Sequence, residues 1–255
     1  VTTFPRCALI VGLILLLLDA TVRSAPAPVA MPASALGPPL LCHPFDIGDA
    51  ASLPFGKGAF DAEPGLSRKE VVDRTLTVLS GTRDATVHME TMRRAVIHLA
   101  GGEDDRGTTQ VDPLLLELER RHDRAVRLHA SDPHDEAART DLALTALDLA
   151  YAAGALSEFG LHVRNRETIA ALATVATTAL PDDGAVQLGG ALLALSLGDQ
   201  ARMYAHLDRA LLAVKAAPKG SSLLAHNIGA TIGNNLGVRD TDAMAAKVAR
   251  ELERS

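Results

Sequence analysis

The most reactive pair of side chains in this sequence is Cys42 beside His43, within Leu41-Cys42-His43-Pro44-Phe45-Asp46-Ile47-Gly48. A thiolate next to an imidazole can ligate zinc, or the imidazole can lower the thiol pKa and make it a nucleophile. Neighbouring side chains of an extended segment point to opposite sides, so closing a metal site needs a further group, such as Asp46, His88 or His98. Haem attachment would require a second cysteine at position 39, where Pro39 stands. Glu119 and His122 form a Glu-x-x-His pair, but carboxylate-bridged metal bundles use that spacing twice, with two further glutamates. The chain has one copy, inside the charged run 117–127, which fits a solvated helix face. Gly56-Lys57-Gly58 lacks the upstream glycine and the following Ser or Thr of a phosphate-binding loop. Gly-x-Ser-x-Gly, His-Glu-x-x-His and Ser-x-x-Lys do not occur.

Composition narrows the partners. Of 255 residues, 25 are Lys or Arg and 31 are Asp or Glu, a net charge of −6, which argues against nucleic acid or a polybasic membrane contact. Aromatic residues make up 3% of the chain, without tryptophan, so platforms for stacked bases are scarce. No cofactor is implied.

The elements that must position any site begin with a leader. Arg6 precedes an apolar run from Cys7 to Leu18, which Asp19 closes. As a helix that run spans about 18 Å, short of the ~30 Å hydrocarbon core. With small residues following, it is expected to be a secretory signal peptide, 1–24, cleaved after Val22-Arg23-Ser24, with Ala33-Ser34-Ala35 as a later option. The exported product would be periplasmic or extracellular, without a stable membrane span, and Cys42 would be its lone thiol. Residues 25–40 read as an Ala/Pro tether. Residues 41–65 are apolar but rich in proline, and read as an ordered, non-helical arm laid across a helical body.

From 66 to 255 the chain reads as helices. Ser67 and Glu70 form a capping box, with Leu66 and Val71 as its staple. That helix stops near Gly81, and a second fills 84–100 with Val87, Met92, Val96 and Leu99 on one face. Asp112-Pro113 and Asp132-Pro133 each read as a cap followed by proline at the first helical position. Further helices are expected at 166–180, 184–197, 199–216, 221–236 and 241–254. The fold class is all-α: antiparallel hairpins packed as an irregular solenoid or bundle.

Two stripes of small residues recur at every fourth position, Gly190, Ala194 and Gly198, then Gly229, Gly233 and Gly237 after Ala225. An interior helical glycine costs about 1 kcal/mol relative to alanine, a cost that close backbone approach would offset. The expectation is that helices 184–197 and 221–236 cross tightly along these stripes, with a ligand against the bare backbone as the alternative.

Over about 40 residues the C-terminal part resembles a tetratricopeptide repeat. By position, Ala191 and Ala210 would be the small crossing residues and Gly198-Asp199 the turn; Met203 stands where that pattern has alanine. Leu41 to Phe55 and Met89-Glu90-Thr91-Met92-Arg93-Arg94-Ala95 resemble stretches of a family of exported bacterial helical proteins with no established function. The resemblance implies a unit of arm plus helices, and no activity. By default Glu90, Arg93 and Arg94 read as a surface ion-pair cluster. Two functions follow: an exported, non-catalytic scaffold binding a protein or peptide, or a metal- or thiol-dependent site where the Cys42-His43 arm meets the helices.

Overall fold

The computed structural model describes residues 38–56, 58, 60–100, 111–217 and 223–254, all within one compact unit. The expected leader, with Cys7, and the tether up to residue 37 lie outside the described residues. So do residues 101–110 and 218–222.

Nine helices make up the regular structure among the described residues: α1 Arg68–Gly81, α2 Ala85–Ala100, α3 Asp112–Ser131, α4 Glu136–Glu158, α5 Arg166–Ala179, α6 Gly184–Ser196, α7 Gln200–Ala216, α8 Leu223–Leu236 and α9 Thr241–Leu252. Their starts are locally encoded. Ser67 and Glu70 close the capping box reciprocally, and Asp135, Asn165, Asp183, Asp199 and Asp240 each accept backbone N–H groups of the turn they begin.

Two proline starts differ from the sequence reading. Asp112 is the first helical residue of α3 rather than its cap, since Val111 precedes it without a side-chain bond. Asp132 instead accepts from the His134 N–H at 3.1 Å, so its carboxylate builds a turn and Asp135 caps α4.

Successive helices pack on one another, an all-α arrangement consistent with a bundle or solenoid. α4 and α6 occupy the middle. α4 packs against α2, α3, α5 and α6, while α6 packs against α2, α4, α5, α7 and α8. Both are apolar on nearly every side, the pattern of a helix enclosed by others. On α4, Ala143, Ala146, Ala150, Ala152, Ala153 and Ala155 are buried, and such small side chains let neighbours approach closely.

The described residues between 38 and 66 carry no helix and lie along this body. Leu40, Leu41, Phe45 and Leu53 are fully buried members of the common core, joined by the partly buried Ile47 and Phe55. Leu40, the last residue of the stretch read above as a tether, has lost all contact with solvent. Phe60 differs: it stays 50% exposed, touching only the edge of Phe159 among aromatic neighbours.

Candidate functional site

The arm is fastened by charge on α2. Glu90, Arg93 and Arg94 are not a surface cluster: Glu90 and Arg93 are 0% and 1% exposed, because the arm lies over them. One turn of helix sets Glu90 beside both arginines. Its Oε2 accepts from Arg93 Nε at 2.8 Å and from the Phe45 N–H at 3.0 Å. Its Oε1 accepts from Arg93 Nη2 at 2.8 Å and from Arg94 Nε at 2.6 Å. The remaining guanidinium donors reach arm carbonyls, Arg94 Nη1 to Leu53 at 2.7 Å and Arg93 Nη1 to Leu41 at 3.3 Å. Phe55 offers its ring face to both guanidiniums, 4.9 and 5.5 Å from its centroid.

Two other helices hold the same stretch of backbone. Tyr151 on α4 donates to the Leu40 carbonyl at 2.6 Å. Glu158, at the end of α4, accepts from the Leu40 N–H and from Ser196 of α6. Burial lifts the Glu158 carboxyl to about 7, against the lowering effect of those hydrogen bonds. Asn227 on α8 pairs with the Asp46 backbone in both directions, accepting at 2.7 Å and donating at 2.9 Å. Sequence reading missed Tyr151, Glu158 and Asn227 as anchors. Two of them carry a retrievable signal: an acid at a helix C-terminus opposes the helix dipole, and asparagine inside an apolar helix is a poor helix former.

Cys42 and His43 sit in this arm and face different neighbours. The half-buried Cys42 is a free thiol, with its pKa raised by burial and then by Glu158, while Arg93 opposes. That direction disfavours the thiolate a nucleophile or metal ligand needs. The His43 ring is held below its ordinary pKa by burial and by Arg239, and its Nε2 is buried without a partner. Neither His88 nor His98 joins them. His88 bonds Asp148 at 2.8 Å, and His98 bonds the Pro54 carbonyl at 3.0 Å. Asp46 Oδ1 accepts from the Gly48 N–H, which makes it a turn residue. Glu119 is paired with Arg164, and His122 contacts Thr145. Among the described residues, no three His, Cys, Asp or Glu side chains come together in a way that could hold a metal ion.

The small-residue stripes have separate neighbours rather than each other. A Cβ at Gly190 would lie 2.6 Å from Thr177 Cγ2 of α5 and 3.2 Å from the His206 ring of α7. At Gly229 and Gly233 it would lie 2.9 and 2.8 Å from the carbonyls of Arg239 and Val238, in the α8–α9 connection. Gly198 and Gly237 end helices: at φ +70° and +66° they complete Schellman turns, with Asp199 N–H bonded to Ala194 and Val238 N–H to Gly233. The nearest neighbours of Gly190, Gly229 and Gly233 thus lie on α5, α7 and the α8–α9 connection, while α6 and α8 also pack against each other.

Between α5, α6 and α7 the surface opens into a groove of about 200 Å³. Ala173, Gly190 and Ala194 floor it, and Arg166, Asp199 and Arg202 stand among its walls. His206 closes one side, its Nδ1 at 2.9 Å from Gln187 Oε1, with the ring held below its ordinary pKa by burial and the nearby Arg209 and Arg202. Asp199 caps α7, and Arg166 donates to the Leu197 carbonyl, so both walls are fixed by helix-terminal bonds.

No family model, no curated protein and no solved structure matches this chain. Among the described residues no helix is long and apolar enough to cross a membrane.

Proposed function

We propose that this protein is an exported, non-catalytic helical-repeat scaffold that binds a protein or peptide segment in the groove between α5, α6 and α7. The observation that carries the reading is the groove floor. Ala173, Gly190 and Ala194 give it a base of small residues between three helices, and Arg166, Glu167, Asp199 and Arg202 bring both charge signs around it. Such a surface suits the backbone and short side chains of a bound segment better than a compact substrate. Export rests on Arg6, the Cys7–Leu18 run and the small residues after it. The finer reading of α6–α7 as a tetratricopeptide-like hairpin draws support from Ala191 and Ala210, each 0% exposed, and from the turn at Gly198. The alternative site at Cys42 and His43 is less favoured, because the raised thiol pKa works against both its proposed chemistries.

The test uses the purified protein as bait on an envelope fraction, beside a Thr174→Trp variant. Thr174 is exposed at the groove, so tryptophan there plugs it without entering the core. A partner captured by the parent and lost by the variant supports the reading. Equal capture by both, or no saturable partner, overturns it.

A further inference from the structure

A second cleft, about 350 Å³, lies where the end of α1, the α1–α2 turn, α3 and α4 meet. Its lining is unlike that of the groove: Arg83, Arg121 and Arg124 border it together, and Asp141 is the only carboxylate lining it. None of the three arginines is paired with a carboxylate among the described residues. Arg121 donates from Nη1 to Ser80 Oγ at 2.7 Å and from Nη2 to the Leu79 carbonyl at 3.3 Å. It thus supplies the positive charge that α1 lacks in its own last turn. Its Nε is buried with no hydrogen-bond partner, a costly state for a charged donor.

His88 borders the same cleft, with both ring nitrogens held. Nδ1 faces Asp148 Oδ1 at 2.8 Å and Nε2 faces the Thr82 carbonyl at 3.2 Å. A carbonyl only accepts, so Nε2 donates, and a proton on Nδ1 as well makes the ring a cation beside Asp148. Burial opposes that charge, but the Asp148 carboxylate and the two hydrogen bonds hold the ring above its ordinary pKa despite the nearby Arg121. On the other side Leu79 and Leu128 give apolar wall, and Leu128 is 48% exposed.

We infer that this cleft binds a small oxyanion, a phosphate or carboxylate head with a short apolar tail, through Arg83, Arg121 and Arg124. The head takes the guanidinium donors, among which the fork geometry of arginine favours a planar or tetrahedral oxyanion. The tail lies against Leu79 and Leu128. The volume falls in the small-molecule range of about 300–1,000 Å³.

Isothermal titration with hexyl phosphate, hexanoate, inorganic phosphate and hexanol, at matched chloride ionic strength, reads the proposal. Saturable binding of hexyl phosphate or hexanoate, tighter than that of inorganic phosphate and absent for hexanol, is expected. Preference between the first two identifies the head. Arg83 and Arg124 are exposed, so the double variant Arg83→Glu, Arg124→Glu leaves the core untouched and should weaken binding about tenfold or more. In the parent protein, the bound anion should also protect these three arginines, and not Arg209 or Arg254, from phenylglyoxal, read by mass spectrometry. No saturable anion binding, binding unchanged in the double variant, or no selective protection overturns the proposal.

Discussion

Two regions of this protein carry clustered arginines, and they treat them oppositely. On α2, Arg93 and Arg94 share one glutamate, and the arm's carbonyls take the remaining donors. At the α1–α3 cleft, Arg83, Arg121 and Arg124 lie together with no carboxylate bonded to any of them among the described residues. The first arrangement is a fastening, complete within the chain. The second is open on one side. A guanidinium says little about role until its acceptors are counted.

The largest effect should come from removing the anion of the fastening. Glu90→Gln leaves two guanidiniums under the arm with no counter-charge, and should lower stability by about 3–5 kcal/mol in urea unfolding. Replacing Glu90 and Arg93 together by leucine and methionine should recover most of it, since a buried pair is often no better than apolar packing. If Glu90→Gln alone costs nothing, the seam is not held by charge.

Glu158 gives the next largest effect, and its sign is set by its carboxyl lying near 7 rather than the ordinary 4.5. The folded state binds the proton more tightly than the unfolded chain, so this contribution is full below about pH 4.5 and is lost as pH rises through 7. Stability should fall by about 2–3 kcal/mol between pH 5 and 8, and Glu158→Gln should remove most of that slope. His88, with its raised pKa, leaves a smaller slope of the same sign.

Asn227→Ala removes both bonds to the Asp46 backbone and should cost about 1–2 kcal/mol. Hydrogen exchange should then rise in the arm before it rises in α4. The smallest effect belongs to the cleft: Arg83→Glu with Arg124→Glu should shift stability by less than about 0.5 kcal/mol, because neither is paired with a carboxylate among the described residues. A large loss there would make the cleft a second fastening and erase the contrast.

The helices were legible because their signals are local. Ser67 with Glu70, Asp199 after Gly198, and the glycines that reverse the chain at 198 and 237 act within a few residues of themselves. The Asp132-Pro133 start misled for the same reason, since aspartate serves a turn as readily as a cap, and nothing in the tripeptide chooses. The candidate sites were less legible. Cys42 and His43 drew attention by their chemistry, while their neighbours Glu158, Arg93 and Arg239 are distant in sequence. Gly190 and Gly229 look alike in the sequence, yet one clears room for a threonine and a histidine and the other for a carbonyl.

The sequence by itself determined most helix starts and stops, and that Glu90 must lie beside Arg93 and Arg94, because both follow from spacing along a few turns of backbone. Tertiary structure alone decided that this trio is buried, that Tyr151, Glu158 and Asn227 hold the arm above it, and that three other arginines gather around an open cleft. Burial depends on which distant segment comes to cover a helix face, and a charged side chain reads the same in the sequence whether that cover is water or another stretch of chain.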